Sequence, residues 1–155
     1  MGTITLPYLD TNVTINQIIA IFEQIAEDHA MINSFAYGQE YDIAAVTIEN
    51  YPLLWVWVQP SKISNQSMKY VFRAIMMDLV NSEGTGQQQD EVQSNTITVL
   101  WDICFLLRDK YDLQIDFDIT ATPFTEKAND RVTGWMVDIP IEIPQQFGIC
   151  DVPLK

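Results

Sequence analysis

From Thr14 to an end near Met31 to Asn33, apolar residues recur at helical intervals: Ile15, Ile18, Ile19, Phe22, Ile25 and Ala26, with Glu23, Gln24, Glu27 and Asp28 opposite. That spacing predicts an amphipathic helix. Asn12 or Thr14 can cap it, and Thr14 with Gln17 has capping-box spacing. A second helix is predicted over about 90–111. There Val92, Ile97, Leu100, Trp101, Cys104, Phe105, Leu107, Arg108 and Tyr111 follow the same period.

Other segments alternate or run apolar. Residues 43–48 can start a strand after the turn residues Asn33, Ser34 and Gly38. Leu53 to Val58 is apolar on both faces and reads as a strand covered on both sides, with Pro60 stopping it. Met68 to Val80 fits a helix or a strand. A strand is preferred, because the preceding strand needs a partner and KISNQS suits a hairpin loop. Asn81 to Gln89 reads as the most flexible stretch. Two amphipathic strands follow. Leu113, Ile115, Phe117 and Ile119 alternate with Gln114, Asp116, Asp118 and Thr120, and Trp135, Val137, Ile139, Ile141 and Ile143 alternate with Met136, Asp138, Pro140 and Glu142. Pro140 points to an edge position or a bulge.

The expected fold class is therefore α+β: an antiparallel sheet of about four to five strands with two helices packed on it and a long hairpin near the C-terminus. One domain is expected over residues 1–155, with irregular arms at 1–13 and 144–155.

Composition changes the picture mainly through charge. Apolar residues make up 48 % and the formal charge is −13. Eight scattered Lys and Arg residues do not form the basic patch that grips a nucleic-acid backbone. No apolar run reaches the ~20 residues of a membrane span. MGTITLPYLD has neither the basic flank nor the apolar core of a signal peptide, and Leu6 spoils a myristoylation reading of Gly2. Cys104 and Cys150 do not make a disulfide framework; Cys104 reads as a reduced core residue in a reducing, cytoplasmic setting.

No nucleophile–base set is evident. The only histidine, His29, reads as a solvated helix-end residue. Asp116 and Asp118 fall on one strand face roughly 7 Å apart. With Asp138 and Glu142 they make a carboxylate-rich face that oxygen-loving cations can use, or that simply stays solvated. No phosphate loop and no zinc spacing occur, and no cofactor is implied. Trp55 and Trp57 suit a stacking platform less well than a core or a subunit interface.

INSFAYGQEYDI, NYPLLWVWVQP, YVFRAIMMDLV, NTITVLWDI and TPFTEKANDRVTGWMVDIPIEIP together resemble a set of small virion proteins from tailed bacteriophages, especially those infecting Bacteroidetes, crAss-like phages included. The order helix, hairpin, helix, hairpin is also similar to the tail-completion, or tail-terminator, family. The resemblance implies a small α+β structural subunit in the virion. It would form a homo-oligomeric ring of about six or twelve subunits at the head–tail junction, beside other neck and tail proteins, with DNA passing through unbound.

Under that implication, the polar stretch 125–133 reads as the connection of a long hairpin that touches a neighbour. Phe124, Glu126, Lys127, Asp130, Arg131, Trp55 and Trp57 are the expected subunit contacts. Asp116, Asp118, Asp138 and Glu142 are the expected acidic wall facing the DNA, since carboxylates repel phosphate. The chain is then not an enzyme. The rival readings are a small metal-dependent hydrolase using Asp116 and Asp118, and a binding module built on Trp55 and Trp57.

Overall fold

A computed structural model of the chain describes residues 14–38, 51–80, 86–126, 132–144 and 155. The chain is α+β. Helix α1 spans Ile15–Asp28 and helix α2 spans Gly86–Asp109. The strands are β1 (Ser34–Tyr37), β2 (Leu53–Ile63), β3 (Ser67–Leu79), β4 (Gln114–Ile115), β5 (Ala121–Glu126) and β6 (Val132–Pro144). They form one sheet in the order β1-β2-β3-β6-β4, with β5 also on β6. All pairs are antiparallel except β1 with β2. The expected strand at 43–48, the arm at 1–13 and all of the C-terminal arm except Pro144 and Lys155 lie outside the described residues.

Local chemistry sets the ends of α1. Thr14 Oγ1 accepts from the Gln17 N–H at 3.3 Å, and the Gln17 side chain accepts from the Thr14 N–H at 2.9 Å. Two orphan donors are thereby satisfied reciprocally. The apolar stripe of α1 then packs on the sheet, with Phe22 against Phe72 at a ring separation of 5.6 Å. Helix α2 lies over β3, β4 and β6 on the same face. Its buried residues are Thr96, Val99, Leu100, Ile103, Cys104 and Leu107.

The two helices and the inner positions of the strands enclose the main core, including Leu54, Val56, Ala74, Met76, Val137, Ile139 and Ile141. The opposite face carries a second cluster made of Leu53, Trp55, Trp57, Ile75, Met77 and Val132. Strand alternation explains the division, since successive side chains point to opposite faces.

Several details depart from the sequence expectation: α1 ends at Asp28, short of 31–33, and Ser34, expected in a turn, opens strand β1. Pro60 does not end β2; the strand runs on to Ile63 and takes up the proline in a register shift between Gln59 and Lys62, a position where no ladder donor is needed. Helix α2 starts at Gly86, inside the stretch expected to be flexible, and ends at Asp109. The turn after it passes through Asp112 at φ 56°, a left-handed value that Asp tolerates better than most residues.

Another departure concerns the C-terminal hairpin, which is β5–β6. Only Gln114 and Ile115 of the expected strand 113–120 are paired. Ile115 lies opposite Ile141 and Ala121 opposite Val137, so the outer strand advances six positions while β6 advances four. The two extra residues make a bulge. Because two is an even number, Ile115, Phe117, Ile119 and Ala121 all still pack on the main core. Pro140, with no N–H, lies in the part of β6 facing this interruption.

A polar seam fastens α2 to the hairpin. Gln93 Nε2 donates to Thr133 Oγ1 at 3.0 Å, Thr133 donates to the Phe124 carbonyl at 2.9 Å, and Trp135 Nε1 donates to the Gln93 carbonyl at 2.8 Å. Thr133 is fully buried, so these bonds satisfy a group that water does not reach.

Candidate functional site

The expected acidic wall is only partly negative. Asp116 and Asp118 are both exposed in the bulge. Asp116 Oδ1 accepts from the Asp118 N–H at 3.2 Å, so this carboxylate shapes the backbone that carries its neighbour. Asp138 receives two bonds from the Arg73 guanidinium, at 2.8 and 3.1 Å. Glu142 sits opposite Lys69 in the ladder. A face expected to be carboxylate-rich thus sets the carboxylates of β6 opposite cations of β3.

The expected subunit contacts separate. Trp55 and Trp57 are each 2 % exposed and belong to the second cluster. Trp55 Nε1 donates to the Gly38 carbonyl at 3.1 Å, and the Arg73 guanidinium lies 5.8 Å from the Trp57 ring centroid. These indoles are core, and neither a neighbouring subunit nor a stacked ligand reaches them. Phe124 is half-buried against the same cluster. Glu126 closes β5, while Lys127, Asp130 and Arg131 lie outside the described residues.

His29 is not a solvated helix-end residue. Its side chain is 14 % exposed, and Nε2 meets Asp102 Oδ2 of α2 at 3.0 Å. Nδ1 accepts the Met31 N–H at 3.1 Å. An accepting Nδ1 leaves the proton on Nε2, which donates to the carboxylate. Nearby, a hydrogen bond from Gln24, aided by Lys110, holds the Asp28 carboxyl below its usual range. The Cys104 thiol is buried, and burial pushes it up to about 11, so it is a poor nucleophile at neutral pH. Among the described residues, no three of His, Cys, Asp and Glu converge as metal ligands do.

Among the described residues, the exposed large apolar side chains include a face of α2 and the tip of the β2–β3 hairpin. On the outer side of α2, Ile97, Trp101 and Phe105 are spaced four residues apart and exposed, with Trp101 at 63 %. The Trp101 and Phe105 rings stack at 5.8 Å and 19°. Phe105 continues onto Phe117 at 5.6 Å, and the Arg108 guanidinium lies 4.4 Å from the Phe117 centroid. Arg108 also bonds Asp109 at 2.7 and 3.1 Å. The second surface is the tip of the β2–β3 hairpin. There Ile63 is 80 % exposed, beside a turn closed by the Ser64 N–H on the Ser67 carbonyl at 2.8 Å.

No protein-family model matches the chain, and no curated protein matches it. Among the described residues no helix is long and apolar enough to cross a membrane.

The α2 surface was present in the sequence but merged into one stripe. Leu100, Cys104 and Leu107 face the core, whereas Ile97, Trp101 and Phe105 face outward. The missed signal was width. Apolar residues at all of these positions cover more of the helix than one buried stripe requires.

Proposed function

We propose that this chain is a structural subunit of a tailed-bacteriophage virion. It assembles as a ring at the head–tail junction, of tail-terminator or connector type, capping the tail tube and leaving a passage for DNA. The observation that carries this reading is the exposed apolar face of α2 formed by Ile97, Trp101 and Phe105, with Ile63 exposed separately at the hairpin tip. A ring of identical subunits needs two different, complementary patches on each copy. A large exposed apolar patch on a soluble domain marks an interaction site.

The net charge of −13 supports DNA passage without adhesion, because few cations are present to hold phosphate. The placement of Arg73 and Lys69 opposite Asp138 and Glu142 moves the best candidates for a DNA-facing surface to the exposed Asp116 and Asp118.

Native mass spectrometry across a concentration series tests the proposal. Closed rings of one defined subunit number are expected. A monomer that persists to the highest soluble concentration would sink the reading.

A further inference from the structure

His29 has both ring nitrogens committed, and to opposite kinds of partner. Nε2 lies 3.0 Å from the Asp102 carboxylate of α2, which when ionised can only accept. Nδ1 lies 3.1 Å from the Met31 backbone nitrogen, whose N–H can only donate. Only the neutral ring with its proton on Nε2 meets both demands. An imidazolium carries a proton on each nitrogen and has no acceptor to offer. Protonation is therefore incompatible with the Met31 bond, whereas it turns the Asp102 bond into a contact between two charges. The surroundings leave that choice to Asp102. Asp28, the chain neighbour on α1, accepts from Gln24 at 2.9 Å and from Lys110 at 3.3 Å. Asp109, near the end of α2, is held by Arg108 at 2.7 Å, and Glu27 is exposed.

The place of the ring gives protonation a structural consequence. His29 caps α1, its N–H bonded to the Ile25 carbonyl at 2.9 Å. Its side chain is 14 % exposed, so water reaches it with a proton. Residues 29–33 carry the chain from α1 into β1, which stands first in the sheet order. Within that turn the Ile32 N–H bonds to the His29 carbonyl at 3.2 Å, and Ile32 is buried in the main core. Met31 is exposed, so its N–H, once released, finds water and not an apolar wall. We infer that His29 is a proton-operated switch between two fastenings. Neutral, it holds the turn and α2 together. Protonated, it lets go of the Met31 N–H and grips Asp102 more tightly. Acid thus loosens the entrance to β1 while it tightens α1 against α2. The switch works within one folded chain, whether or not copies assemble.

His29 is the only histidine in the chain, so its imidazole resonances identify themselves. Nitrogen-15 NMR of the unmodified, folded chain follows both ring nitrogens and the Met31 amide from about pH 8 to about pH 5, the span in which an ordinary imidazole charges while carboxylates stay ionised. At the alkaline end the tautomer protonated on Nε2 is expected. As the ring charges, the Met31 amide is expected to shift in step with the Nδ1 signal. In His29→Gln the same amide should no longer follow pH over that span. The other fastening is read by double-mutant cycles on His29 and Asp102 in urea at both ends of the span. Their coupling is expected to rise about twofold in acid, because a second charge joins the contact. A neutral ring protonated on Nδ1 would overturn the switch. So would a Met31 amide that stays put while the ring charges, a ring still neutral at about pH 5, or a coupling that does not rise in acid. The NMR titration needs no variant, so a His29→Gln chain that failed to fold would still leave the switch open to refutation.

Discussion

His29 Nε2 donates to Asp102 Oδ2 across 3.0 Å, and with its other nitrogen the same ring accepts the Met31 N–H. One side chain thus ties the end of α1 to the middle of α2 and also organises the turn toward β1. Removing either partner is expected to cost about 1–2 kcal/mol, at the lower end of what a bond to a charged group contributes because Asp102 is half-exposed. Asp102→Asn should cost less than Asp102→Ala, because the amide oxygen still accepts from Nε2. The double variant His29→Ala/Asp102→Ala should cost clearly less than the sum of the two singles. Urea denaturation of the unmodified chain and the four variants measures this, and strict additivity would show the contact to be energetically idle.

Gly134 is required by the close approach of β6 to β3. A methyl group there would meet the Met76 carbonyl and stand 3.0 Å from the Met77 Cα. Both obstacles are backbone, so no side-chain rotation relieves them. Gly134→Ala should destabilise the chain by about 3 kcal/mol or more, through forced separation of two central strands. Thermal melting checks it, and an unchanged midpoint would contradict the pairing of Gly134 with Met77.

Thr133 accepts from Gln93 and donates to the Phe124 carbonyl in a site closed to water. Thr133→Val keeps the shape and leaves both partners unmet, at an expected cost of about 1–3 kcal/mol. Thr133→Ser retains the hydroxyl and should recover much of that loss. Equal costs for Val and Ser would mean that packing of the methyl, not the seam, is what matters.

Burial raises the Cys104 thiol from 9.0 to about 11. The folded chain therefore holds a proton that the unfolded chain releases, so this contribution to stability is whole below pH 9.0 and lost as the pH rises through about 11. Comparison with Cys104→Ala across that range should show the original chain losing stability faster with pH. In a Cys150→Ser background, a disulfide-exchange reagent at neutral pH should label Cys104 only as fast as the chain opens. Prompt labelling of the native protein would refute its burial.

Local pattern determined the two helices, the capping box of Thr14 and Gln17 and the buried thiol; the strand over Ser67–Leu79 followed from the preceding strand's need for a partner, since its own periodicity fits helix and strand alike. Helices, capping box and thiol each depend on residues a few positions apart, and hydrophobic periodicity reports such spacing directly. It also determined the inward face of Ile115, Phe117 and Ile119, because alternation survives an even-numbered bulge. It did not determine that these residues leave the ladder, since that depends on Asp116 capturing the Asp118 N–H and on how β6 is already paired. Pairing partners decided the rest. Arg73 neutralises Asp138 only because β3 lies beside β6. His29 meets Asp102 across seventy-three positions of sequence. The outward face of Trp101 and the inward face of Trp55 follow from which sides of α2 and β2 the sheet and its clusters cover. Periodicity gives the faces of an element, and only packing decides which of two apolar faces is buried and which is left for a partner.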